Sequence, residues 1–321
     1  MATVPKFHAL KKSEDTGQPL SWGVWGKDDQ LGMLNFITPE ATVGAAKCVK
    51  RGVRFNLDLP LHIPYSLLTA GGFLNRQPPK HTLEGQDFRT LYIRDDKLDE
   101  FYLQGSTQWD GLTHIGSPQI GFYNGVKPEQ ITFEEDTKLG IEHVAEFGVV
   151  TRGILVDFER YFKKTGRAWD PCTGDRISAD EVEACLKDQG VTLRQGDILC
   201  FRYGWTVALF AEQDDKVRNS WFADGTFSGI AGDQKMWELI WDNGVAALAA
   251  DSPTMEASPM IKLDNMHQAI PRLGLTIGEM FFLEDWADDS AKDGVYEAMF
   301  TSSPLNVRGG VGSPPNAIAV K

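Results

Sequence analysis

Gln104-Gly105-Ser106-Thr107-Gln108-Trp109-Asp110-Gly111-Leu112-Thr113-His114 is the stretch on which the reading of this 321-residue chain turns. Four side chains able to coordinate or to transfer a proton, Gln104, Gln108, Asp110 and His114, fall at even offsets. In an extended segment alternation puts them on one face. A straight strand would spread them over about 33 Å at about 3.3 Å per residue, too far for one site. The segment has to curl if they converge, and Gly105 with the Asp110-Gly111 turn signal permits that. Two glycines weaken the helical alternative. The bland reading is a polar strand face or turn.

A second stretch, His267-Gln268-Ala269-Ile270-Pro271-Arg272-Leu273-Gly274-Leu275-Thr276-Ile277-Gly278-Glu279, separates an imidazole from a carboxylate. One proline and two glycines break the apolar run, so it can fold back and bring its ends to one place. His8 reads as solvated, and His143 as packed or capping. His62 and His81 flank an irregular stretch, 60–85, that carries Gly71-Gly72 and Pro78-Pro79 among apolar residues. That stretch reads as a packed functional loop.

Around these segments the chain mixes helix and strand signals. Thr38-Pro39-Glu40 opens a helix expected to close at Gly52. Ser178 and Glu181 have capping-box spacing before a helix ending at Gly190. A third helix runs over 233–243 and stops at Gly244. Buried strands are expected at 153–156, 198–201, 245–250 and 317–320. Without strict alternation this predicts α/β or α+β with a mixed sheet. No repeat or low-complexity linker divides the chain, so one domain over 1–321 is expected.

The composition narrows the function. There are 45 acidic and 32 basic residues, a formal net charge of −13, nine Trp and 18 Phe. The aromatics point to a globular core, and the acidic surface makes nucleic acid a poor partner. No apolar run is long enough to span a bilayer and no secretory leader is visible. The four cysteines form no C-x-x-C pair, which argues against a zinc-finger site or a disulfide framework; a reduced, cytoplasmic protein is expected. G-x-S-x-G, Walker-type, H-E-x-x-H and strand-linked G-x-G-x-x-G motifs are missing.

Together the two stretches resemble the cyclase family of metal-dependent hydrolases, which includes bacterial arylformamidases (kynurenine formamidase) and isatin hydrolase. The family signature is H-x-G-T-H-x-D-x-P-x-H. Residues 104–114 match it in length, with Thr107, Asp110 and His114 in register. A His followed twelve residues later by a Glu is the second signature, matched by His267 and Glu279. Weaker likenesses run from Trp25-Gly26 to the C-terminal Ser313-Pro314. Two of the family's metal-binding histidines are Gln104 and Gln108 here, and its Gly and Pro are Ser106 and Leu112.

The resemblance implies that Asp110, His267 and Glu279 hold a metal, that Gln104 and Gln108 occupy ligand positions, and that His114 is the acid/base, with Glu279 sharing the proton work. Amide oxygens are weak, hard ligands, so the exchange should weaken Zn²⁺ and favour oxygen-loving ions. A divalent ion, Mn or Zn, is the expected cofactor. The expected reaction is hydrolysis of a small cyclic or aryl ester, lactone or amide. The alternative is a non-hydrolytic cyclase, dehydratase or isomerase on the same scaffold, with or without metal. Trp109, Tyr65 and Phe73 would pack the substrate ring, and Arg202 would hold its carboxylate. The resemblance further implies a swivelling β/β/α fold, a mixed β core with surrounding helices, and a homodimer or homotetramer.

Overall fold

The computed structural model describes residues 4–67, 76–260 and 265–321, with only the backbone of Phe88. Its centre is a nine-stranded mixed sheet. The strand order is Gly312–Ser313, Gln108–Asp110, Thr276–Glu279, Ala247–Ala250, Ile198–Arg202, Val149–Asp157, Glu297–Ser302, Ile318–Val320 and Arg54–Asn56. The four middle strands, from Thr276–Glu279 to Val149–Asp157, run parallel. Antiparallel partners flank them on both sides. Three of the parallel strands, Val149–Asp157, Ile198–Arg202 and Ala247–Ala250, are almost wholly buried and overlap the apolar runs expected at 153–156, 198–201 and 245–250; Thr276–Glu279 carries no such run. Glu297–Ser302 instead alternates between buried and half-buried positions. This is the α/β fold with a mixed β core and surrounding helices that the sequence predicts.

The caps at Thr38 and Ser178 form as expected: Thr38 accepts from Ala41 N, and Ser178 and Glu181 complete a capping box. The helix expected over 233–243 is Gln234–Asp242, with Asp233 as its cap, accepting from Met236 N. The first helix, Pro39–Ala46, ends well short of Gly52. Arg51 N and Val53 N donate to the Lys321 carbonyl instead, which draws this chain alongside the C-terminal strand. The loop expected over 60–85 is shorter than read. Lys80–Phe88 pairs with Leu91–Asp99 in an exposed hairpin. Cross-strand charge pairs, His81 with Asp96 and Lys97 with Glu84, join its strands. Polar residues on both faces hid the alternation that marks a strand. Among the described residues no helix is long and apolar enough to cross a membrane.

The sheet edge that matters carries Gln108 directly opposite Glu279, with Asp110 opposite Ile277. Gly278 is required there: a Cβ would lie 2.6 Å from both Trp109 Cζ3 and Phe281 Cε2. Glu279 ends its strand, and the neighbouring parallel strands end at Asp157, at Arg202 and just before Asp251. Polar side chains thus collect at the carboxyl ends of the strands, where open α/β sheets bind ligands.

Candidate active site

Residues 104–114 curl as the spacing demands. Only Gln108–Asp110 is strand, and turns lie on either side. Thr107 pins the bend, accepting from Leu59 N at 2.8 Å and donating to the Met280 carbonyl at 2.6 Å. Gln104 therefore returns to the same place: its amide nitrogen donates to Asp110 Oδ1 and lies 3.0 Å from His114 Nδ1. Gly312 leaves room for it, since a Cβ there would sit 2.8 Å from Gln104 Cγ. Gln108 donates from Nε2 to Glu279 Oε2 at 2.9 Å across the strand pair.

His267 comes from the second stretch. It sits in a short 3₁₀ turn, Met266–Gln268, capped by Asn265, and the helix Ala269–Leu273 then turns the chain back into Thr276–Glu279. Its Nε2 stands 3.4 Å from Glu279 Oε1 and 3.9 Å from Asp110 Oδ2. His114 Nε2 is 3.8 Å from Asp110 Oδ1, and the two imidazole centroids are 6.1 Å apart. Two segments distant in sequence thus meet in one buried cluster. Asp110 and Glu279 share a neighbour within 4 Å and are shielded from solvent.

The far side of His267 is held by a residue that the sequence reading missed. Both carboxylate oxygens of Glu256 lie 2.9 Å from Nδ1, and Glu256 is 1% exposed. Burial alone would depress the imidazole, but Glu256 and then Glu279 outweigh it and hold His267 well above its ordinary value. Burial, then the Asp110 charge, lifts Glu279 to about 7 against the pull of His267. Burial also lowers His114, with Asp110 opposing. Because Gln104 presents its amide nitrogen, His114 Nδ1 accepts, and the neutral ring carries its proton on Nε2, toward Asp110.

Asp110, His114 and His267 each offer a ligand atom, and these lie within 4.8 Å of one another. Among the described residues Asp110 Oδ2 and Glu279 Oε1 are buried without a well-formed hydrogen bond, and the group nearest both is His267 Nε2, at 3.9 and 3.4 Å. Buried carboxylate oxygens that lack a well-formed hydrogen bond are costly. A carboxylate behind a ligating imidazole is also the usual outer support of a metal site. These residues therefore fit a divalent ion. The two glutamines stand differently from a ligand pair: their amide nitrogens clamp the carboxylates, and Gln108 Oε1, its only ligating atom, lies 3.3 Å from Arg76 Nη1.

The expected substrate contacts divide. Tyr65 is buried against Phe222, close enough to Arg76 and Glu279 for both charges to act on its hydroxyl. Trp109 is corrected to core: alternation turns it away from Gln108 and Asp110, onto Phe281 and Phe300, and its Nε1 donates to Ser302 Oγ at 2.9 Å. Arg202 is corrected to structure, since Asp157, Glu159 and Glu284 enclose its guanidinium. Phe73 lies outside the described residues. Asp251 accepts from Tyr203 N and Gly204 N and so fixes that turn. Arg76 and Glu256 sit in stretches with no motif spacing, and a lone Arg or Glu gave no signal.

The family model for cyclases matches residues 55–257. A solved structure described as a novel cyclase is 35% identical over 94% of this chain and 99% of that one, with a TM-score of 0.82. An isatin hydrolase bound to the product analogue thioisatinate is 12% identical over 88% of this chain and 98% of that one, with a TM-score of 0.52. Isatin hydrolase A from Ralstonia solanacearum is 14% identical over 88% and 97%, with a TM-score of 0.53. At that identity the likeness to the two hydrolases is one of fold. No curated protein matches the sequence.

Proposed function

This chain belongs to the cyclase family, and from that membership we propose that it is a metal-dependent hydrolase opening a small cyclic or aryl ester, lactone or amide. The observation that carries the reading is the pair of buried oxygens without a well-formed hydrogen bond, Asp110 Oδ2 and Glu279 Oε1, nearest His267 Nε2. Asp110, His267 and Glu279 would hold the ion, Mn or Zn, while Gln104 and Gln108 steady the two carboxylates. A bound divalent ion supplies Lewis acidity toward a carbonyl and lowers the pKa of a water.

The chain's own residues then divide the proton work. His114 carries its proton on Nε2, so the ring is set to give it to the leaving nitrogen or oxygen. Glu279, beside the ion, shares in taking the proton of the attacking water. Proton return from Glu279 to the ring resets both. Gln104 fixes the ring through Nδ1, and Glu256 fixes His267. The test is a panel of lactones, cyclic amides and aryl esters. His114→Ala should abolish turnover while bound metal survives; turnover unchanged in that variant would remove His114 from the reaction.

One observation favours the second reading, ring closure, dehydration or isomerisation without an ion. Amide nitrogens rather than imidazoles touch the acids, and a raised carboxyl beside an imidazole can shuttle protons alone. Full activity after exhaustive chelation would select it. A homodimer or homotetramer acting on a small molecule accompanies either proposal.

A further inference from the structure

Arg76 is the cation of this site for which the family resemblance provides no role. Its Nη1 donates to the Gln104 carbonyl at 2.6 Å and approaches Gln108 Oε1 at 3.3 Å. Neither partner is an acid. Elsewhere the buried Arg152 (by Asp197 and Glu297) and Arg202 (by three acids) are saturated with carboxylates, whereas the buried Arg272 meets only Gln268 among the described residues.

The glutamines explain how Arg76 stays unsaturated beside two acids. Gln108 donates to Glu279 through its nitrogen and accepts from Arg76 through its oxygen. Gln104 donates to Asp110 with its side chain and accepts from Arg76 with its backbone. Each amide is a neutral spacer that holds the guanidinium near the carboxylates without letting it pair with them. On the same side, the buried Tyr65 hydroxyl makes no close hydrogen bond among the described residues, and the donor in reach of it is again Arg76. The hydroxyl lies near enough to Arg76 and Glu279 to sense both charges.

We propose that Arg76, with the Tyr65 hydroxyl, is the anion-receiving subsite of this pocket, and that the substrate carries a carboxylate beside the group that reacts. A guanidinium fork and a phenol O–H match a carboxylate's two oxygens. Without them the acid cluster would repel an anionic substrate. This inference rests on the reading of the cluster as an active site, but its test needs no turnover.

The full-length protein is titrated calorimetrically with benzoate and with its neutral isostere benzamide, at constant ionic strength. Wild type should prefer benzoate. Arg76→Gln should weaken benzoate at least about tenfold and leave benzamide unchanged, with Arg76→Lys falling between because it keeps the charge but loses the fork. Tyr65→Phe should weaken benzoate by a smaller factor. Equal affinity of wild type for the two probes, no benzoate binding by wild type, or undiminished benzoate binding by Arg76→Gln would each overturn the proposal. Metal content, measured on the same samples, should not change in Arg76→Gln. Failure of the metal-hydrolase reading would appear there instead, with the benzoate preference intact.

Discussion

Glu256→Gln isolates the support behind His267. The change is isosteric in a fully buried place, and a glutamine oxygen can still accept from Nδ1. What disappears is charge. A hydrogen bond to a charged group contributes about 1.5–3 kcal/mol and a neutral one about 0.5–1.5. The substitution should therefore remove about 1–2 kcal/mol from whatever His267 Nε2 binds. That agrees with the roughly 10–100-fold loss of metal affinity that follows removal of an outer partner. The assay is calorimetric titration of metal-free wild type and variant with Mn²⁺ and Zn²⁺. It is paired with NMR titration of the His267 ring, which should fall back toward the ordinary histidine range once the carboxylate no longer offsets burial. Glu256→Ala should cost more, since it also leaves Nδ1 unpartnered. Ion binding by Glu256→Gln within about twofold of wild type, with His267 still held high, would refute the reasoning.

Arg202→Met should destabilise the protein by about 3–5 kcal/mol, because it strands carboxylates that enclose a buried cation, and ion binding should be unaffected. A fully stable variant that fails only in substrate binding would restore Arg202 to the pocket. The metal-free protein should lose stability between pH 5 and pH 8 in urea unfolding. Asp58 at about 6, and Asp251 and Glu279 at about 7, keep protons in the folded state where the unfolded chain has released them. Stability from these groups is present near pH 4 and lost as the pH rises through their folded values. The raised His267 works in the same direction, and the lowered His114 opposes it only below about pH 6.5. A flat or rising profile would contradict this balance.

Much of this was legible because it is local or periodic. The helix caps at Thr38 and Ser178 are written in single side chains, and three of the four parallel strands in apolar runs. The even spacing of Gln104, Gln108, Asp110 and His114 stated that the segment had to curl, and Thr107 shows how it is pinned. What stayed hidden depends on the tertiary meeting of unrelated segments. Trp109 lies within the motif, but strand alternation puts it on the opposite face from Gln108 and Asp110, and only the fold shows that this face is core, against Phe281 and Phe300. The partners of Arg202 come from residues 157, 159 and 284. Glu256 meets His267 from eleven positions upstream, with no spacing rule to announce it. The hairpin Lys80–Phe88 with Leu91–Asp99 carries polar residues on both faces, so the period-two signal was absent.

Elemental analysis of the purified protein, alongside its Asp110→Asn and His267→Ala variants, bears most directly on the cluster at the end of the Thr276–Glu279 strand. The account predicts about one divalent ion per chain in wild type and little in either variant, with all three folded. Wild type that takes up no Mn²⁺ or Zn²⁺, or variants that keep a full equivalent, would contradict it.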